Sequence, residues 1–174
     1  MSLSRNASSM WRLASLALLA VAGCGVYSLS GGGGLPGHID SVAILPMDNR
    51  TTQFTLTQEL TQALLDNIPG RLGLRPADEG SADAILRGTI TRYDDRAVNY
   101  QPDPQGPVIF QRRVEITVSI EIYDVRQEQV LWSNRALSAS GEYEPNAGQS
   151  ETDGRLLAID NLIQLIIDGA QSQW

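Results

Sequence analysis

The spacing of apolar positions changes repeatedly along the chain, and each change marks an element. Leu13 to Ala22 is an apolar run interrupted only by Ser15. Ile39 to Pro46 is rich in branched residues and stopped by proline, which predicts a strand. From about Phe54 to Ile68, Leu56, Leu60, Ala63, Leu64 and Ile68 fall on one stripe while Gln58, Thr61, Gln62 and Asp66 face outward, predicting a helix. Thr55 and Gln58 offer a capping box at its start, and Pro69-Gly70 should end it. Leu72 to Pro76 reads as a short edge piece. Ala82 to Tyr93 forms the second main strand, with Ala84, Leu86, Gly88 and Ile90 on one face.

The clearest strand follows. Val114, Ile116, Val118, Ile120 and Ile122 alternate with Arg113, Glu115, Thr117, Ser119 and Glu121, a period of two that puts one face in the core and the other in water. Between these strands, Gln101 to Pro107 must turn. A hairpin folded about Pro104 sets Leu86, Gly88 and Ile90 opposite Ile122, Ile120 and Val118, and by the same count Arg96 opposite Arg112. Val130 to about Ser140 is a fourth strand in which neither parity is cleanly apolar. Gly141 to Gly154 is polar and irregular, and Arg155 to Ala170 closes the chain as a helix with Leu156, Ile159, Leu162, Ile163, Ile166 and Ala170 at helical spacing. The order βαβββα predicts an α+β two-layer sandwich, a mixed four-stranded sheet with two helices on one face. The helical crossover between the first two strands favours a parallel, right-handed pair.

The apolar run near the start follows Arg5 and Arg12 and precedes Gly23-Cys24, the pattern of a secretory signal. It falls short of the about 20 apolar residues that span a bilayer. Val21-Ala22-Gly23-Cys24 resembles the lipobox of bacterial lipoproteins, which implies cleavage of residues 1–23 and a lipid-bearing Cys24. Its thiolate would accept diacylglycerol. Several acyl chains, palmitate among them, anchor stably because each buried methylene adds about 0.8 kcal/mol. Cys24 is the only cysteine, so no intrachain disulfide and no cysteine metal cluster is available. Gly25 rather than aspartate after it implies, by resemblance to enterobacterial sorting rules, the outer membrane, with the folded part facing the periplasm. Gly31 to Gly34 and Leu35-Pro36-Gly37 suit a tether, so residues 24–38 are read as a lipidated linker and 39–174 as one domain.

Charge narrows the function. There is no lysine, and with Arg5 and Arg12 in the leader, 11 of the 13 arginines face 20 carboxylates. Nucleic acid demands a basic footprint, so it is not an expected partner. An anionic ligand must be held by local arginines. His38 is the only histidine, placed at the end of the tether where nothing is expected to hold it. That argues against a Ser-His-Asp arrangement and against metal sites built on histidine or cysteine. Asp48, Asp94 and Asp95 are formal acid-base candidates, but Asp48-Asn49 reads as turn chemistry and Asp94-Asp95 as the close of an edge. The glycine run carries no lysine and precedes no helix, so it is no phosphate loop. No catalytic residue, no metal and no cofactor beyond the covalent lipid is expected, and the chain reads as a binding or assembly protein.

Cys24-Gly-Val-Tyr-Ser-Leu-Ser-Gly31, Ser41-Val-Ala-Ile-Leu-Pro-Met-Asp-Asn49, Ala82-Asp-Ala-Ile-Leu-Arg-Gly-Thr-Ile90 and Val130-Leu-Trp132 together resemble the LPS-assembly lipoprotein (LptE) family. The resemblance implies a non-enzymatic partner of LptD, the outer-membrane β-barrel that delivers lipopolysaccharide to the cell surface. Family members plug the barrel, assist its assembly and contact lipopolysaccharide. It also implies that the loop between the second and third strands, with Pro102, Pro104, Gly106 and Pro107, enters the barrel; its prolines would cut the ordering entropy of docking. For the anionic ligand, Arg96, Arg112 and Arg113 are the candidates, since guanidinium forks match phosphate. The competing expectation pairs them with Asp94, Asp95 and Glu115 on a solvated face. The alternative functions are a general periplasm-facing lipoprotein adaptor of another envelope assembly or secretion system, and an envelope hydrolase using Asp48, Asp94 or Asp95.

Overall fold

A computed structural model of the protein describes residues 34–102, 104–106 and 108–172. The leader, Cys24, most of the tether, Asp103 and Pro107 lie outside the described residues. The elements are β1 (Ser41–Ile44), β2 (Asp48–Asn49), α1 (Leu56–Leu72), β3 (Arg75–Pro76), β4 (Ala84–Gln101), β5 (Val108–Asp124), β6 (Gln129–Tyr143), a 3-10 turn (Pro145–Ala147) and α2 (Glu151–Gln171). The expected βαβββα order holds; the short edge piece read within Leu72 to Pro76 is β3, at the sheet edge, and the two-residue strand β2 is added. The sheet runs β3-β1-β4-β5-β6, with β2 also on β4. β1 lies parallel to β4, as the helical crossover requires, while β4, β5 and β6 are antiparallel.

Both helices lie on the face that carries Leu86, Ile90, Val114, Ile116, Val118 and Ile122, where they share one buried core with Leu56, Leu60, Leu64, Leu162 and Ile166. Each such side chain contributes roughly 1.5–3 kcal/mol by leaving water. Two helix boundaries differ from expectation. Thr55 makes no side-chain cap, and α1 continues through Pro69 to Leu72, where left-handed Gly73 (φ 71°) ends it. Burial of Ile68 and Pro69 on the core offsets the backbone bond that proline cannot make. The α2 helix starts earlier than its apolar stripe, because the Ser150 N–H and hydroxyl both donate to Asp153 Oδ2, each at 2.7 Å. The supposedly irregular stretch thus holds the end of β6, the 3-10 turn and the first turn of α2.

Leu86, Gly88 and Ile90 face Ile122, Ile120 and Val118 as the sequence indicates. At Thr91 the ladder takes up an extra residue: Ile90 still faces Val118, but Arg92 faces Thr117. The β4 strand consequently swaps faces, so that Tyr93 and Asp95 turn toward the helix side and Asp94 outward. The expected Arg96–Arg112 pair is therefore replaced by Arg96 facing Arg113 and Arg112 facing Ala97. The β5–β6 ladder also shifts, between Asn134, which faces Ile120, and Leu137, which faces Val118. It moves the inward positions from Trp132 to Leu137, Ala139, Gly141 and Tyr143. That is why neither parity of β6 is cleanly apolar.

Candidate functional site

Past the pair Arg112–Tyr143, β6 supplies no further partners, and β4 and β5 continue alone through Asn99–Gln111, Tyr100–Ile109 and Gln101–Val108. The result is a two-stranded ribbon that ends in the expected loop. Pro102 and Pro104 are exposed there, and Gly106 takes a φ of +126° that side chains rarely adopt. The ribbon carries apolar surface into solvent, with Tyr100 60% and Val108 42% exposed. An isolated ribbon of this kind is marginal in water and gains from a partner. The loop prolines were visible in the sequence; Tyr100 and Val108 were missed, although an apolar pair flanking a proline-rich turn was a usable signal.

Below the ribbon the three candidate arginines divide between the two faces. Arg112 lies on the helix side, where its Nη2 donates to Asp95 Oδ2 at 2.9 Å and its Nε to the Tyr143 hydroxyl at 2.8 Å. That hydroxyl in turn donates to Asp95 at 3.0 Å. The hydrogen bonds that Arg112 donates to Asp95 hold its guanidinium protonated above its ordinary range, and burial pushes the Tyr143 hydroxyl up as well. Arg96 and Arg113 point out from the opposite face. Arg96 donates to Glu115 at 2.9 Å, and Arg113 donates through Nε to Glu142 at 2.9 Å. Gln111 joins the same Glu142 and accepts from Asn99. Each arginine thus has a carboxylate, and an anionic ligand here has to displace one.

The remaining sequence candidates settle differently from expectation. Asp94 and Asp95 do not close an edge: they sit mid-strand, Asp94 on Arg92 and Asp95 on Arg112. Asp48 and Asn49 form a short strand on β4, and the Asn49 side chain accepts the Thr51 N–H at 2.8 Å, so turn chemistry follows directly. His38 is held after all, with Nε2 2.5 Å from Oδ2 of buried Asp124. Arg155 of α2 is buried and donates to Glu59 of α1 at 2.8 Å and to Glu151 at 2.8 Å, while the Tyr93 hydroxyl donates to the same Glu151. Among the described residues no cluster of three or more His, Cys, Asp or Glu side chains could hold a metal, and no helix is long and apolar enough to cross a membrane.

The family model for LptE, described as lipopolysaccharide-assembly, matches residues 39–172, the whole of this sheet and both helices. The chain belongs to the LptE family. No curated protein matches it. Among solved structures, a hypothetical protein of Chlamydia trachomatis shares the fold at a TM-score of 0.55 and 14% identity, covering 77% of this chain and 97% of that one. PelC of Paraburkholderia phytofirmans, as a variant solved as a dodecamer, gives 0.51 at 15% identity over 83% of this chain and 95% of that one. A Xanthomonas campestris protein of the DUF330 family gives 0.52 at 10% identity, covering 79% and 85%. At such identities these likenesses show the fold alone. LptE membership makes this an LPS-assembly lipoprotein in general terms, from a family that is not enzymatic.

Proposed function

We propose that this LptE-family chain is an outer-membrane lipoprotein whose β4–β5 ribbon docks into the LptD barrel, plugging it and assisting its assembly. Residues 1–23 would be removed, Cys24 acylated, residues 24–38 would tether the domain, and residues 39–174 would face the periplasm. The observation that carries the docking reading is the two-stranded ribbon, with Tyr100 and Val108 exposed beyond the last β6 pair. Apolar side chains on a stiff, proline-tipped turn lose little entropy on binding and bury area that water otherwise covers. Pro102, Pro104 and Gly106 form its leading edge, and Pro107 of the same loop, outside the described residues, would enter the barrel with them. Lipopolysaccharide contact is assigned to Arg96, Arg112 and Arg113, with phosphate taking the place of Glu115, Asp95 or Glu142.

The test is a photo-crosslinking residue at Tyr100 in cells, followed by identification of the captured partner. Capture of the LptD barrel, and loss of surface lipopolysaccharide on depletion, supports the reading. Unchanged surface lipopolysaccharide with capture of another envelope protein returns the general adaptor. Mass spectrometry of the native protein checks the anchor: an intact leader or an unmodified Cys24 thiol overturns it.

A further inference from the structure

The sheet face that carries no helix holds a cleft of about 550 Å³. Its floor is β4 and β5, with Thr89 facing Ser119 and Arg87 facing Glu121. Pro46 and Asp48 form one wall, where the chain leaves β1 and enters β2, and Val130, Ser133 and Arg135 of β6 form the other. Where the β5–β6 ladder shifts, Arg135 and Ala136 stand against Ser119 alone. Such a bulge re-aims a side chain, and here it brings Arg135 to the cleft.

Elsewhere on this face the polar side chains satisfy one another. Arg92, Arg96 and Arg113 each have a carboxylate, and the Thr117 hydroxyl meets Ser138 at 2.7 Å. Within the cleft only Arg87 is paired in this way, donating through Nε to Glu121 at 2.6 Å. The hydroxyls of Thr89, Ser119 and Ser133, the guanidinium of Arg135 and the carboxylate of Asp48 have no side-chain partner among the described residues. Donors and acceptors are thus both left over in one concave place.

We propose that this cleft binds the uncharged part of a glycan, a short run of sugar rings. Its two arginines, Arg87 and Arg135, balance the two carboxylates of Asp48 and Glu121. A phosphate would gain Arg135 but meet both carboxylates, and an ammonium group would meet both guanidinium groups. A sugar hydroxyl donates and accepts at once, so it can give to Asp48, take from Arg135 and do either with the three free hydroxyls. Pro46 and Val130, the latter 48% exposed, offer apolar surface to the C–H faces of the rings. The volume lies within the roughly 300–1,000 Å³ of small-ligand sites. Ser119 is six residues from Arg113 along β5, roughly 20 Å, so this site is separate from the arginines assigned to phosphate and does not depend on what the ribbon docks.

The experiment is isothermal titration calorimetry on the full-length mature lipoprotein, held in a detergent without a sugar headgroup. The probes are deacylated and dephosphorylated lipopolysaccharide core oligosaccharide, chitotetraose as a cell-wall-type glycan, and inorganic phosphate. Saturable binding of either oligosaccharide with a Kd below about 1 mM supports the site, and which of the two binds identifies the source of the glycan. Arg135→Ala should weaken that binding by about ten-fold, the size of a lost charged hydrogen bond, and Ser133→Ala by a smaller factor. Arg75→Ala, on the exposed edge strand β3, should leave it unchanged. Thermal melting of the same variants confirms that each is folded. No binding of either oligosaccharide, competition by phosphate, or wild-type affinity in Arg135→Ala overturns the proposal.

Discussion

Gly141 of β6 lies so close beneath Gly154 of α2 that a methyl group at position 141 would stand 2.1 Å from the Gly154 carbonyl oxygen. The obstruction is backbone, which cannot swing aside as a flexible side chain can. Gly141→Ala is therefore expected to push α2 off the sheet and destabilise the domain by roughly 1–3 kcal/mol. Gly70→Ala, in α1 with nothing within 4 Å of the added carbon, should instead stabilise by about 0.4–1 kcal/mol. Urea denaturation of the two variants reads both signs.

Arg155 joins the helices through an ion pair with little access to water, its side chain 8% exposed. Arg155→Ala leaves Glu59 and Glu151 facing each other across a space that no cation fills. Because both carboxylates still reach solvent, the loss should be about 2–3 kcal/mol, below that of a sealed pair. A double-mutant cycle with Glu59→Gln should show strong coupling, and additive losses would refute it.

Acid should weaken the fold through three carboxyls held below their ordinary range. In Asp83 the leading cause is the Ser41 hydroxyl, in Asp153 the Ser150 backbone N–H, and in Asp124 the N–H groups and His38 overcome burial. Each binds fewer protons folded than unfolded, so its contribution is complete above about pH 4 and is lost as pH falls through the lower folded value. The urea midpoint should drop steeply as pH falls below about 4. In Ser41→Ala the slope should be shallower, since Asp83 loses its strongest donor.

Tyr100 stands apart from the core, so Tyr100→Ala should change stability by no more than about 0.5 kcal/mol. If the ribbon docks a partner, the same substitution should reduce co-purification with the barrel, as should Val108→Asp. Thermal melting and detergent pull-down on the same variants separate loss of fold from loss of docking.

Much of this architecture was legible in the chain because it is local. The alternation from Val114 to Ile122, the stripe from Leu56 to Ile68 and the turn between β4 and β5 each follow from side-chain period and backbone restriction within one segment. So does the register of Leu86 on Ile122, which only one assignment of the apolar faces allows. The four motifs between Cys24 and Trp132 together pointed to the family. The faces of the three arginines were not legible. A single extra residue at Thr91 reverses the side chains from Arg92 to Ala97, where the ladder shifts again, and nothing in the composition of β4 marks where it yields.

The sequence by itself determined the element order, the core faces of both helices and of β5, and the acidic, lysine-free composition, all of which depend on neighbours along the chain. Tertiary structure decided that Arg96 and Arg113 share a face without Arg112, that β6 pairs inward through two parities, and that His38 meets Asp124 across 86 positions. Those outcomes depend on where bulges and turns bring distant segments together, and long-range packing alone fixes them.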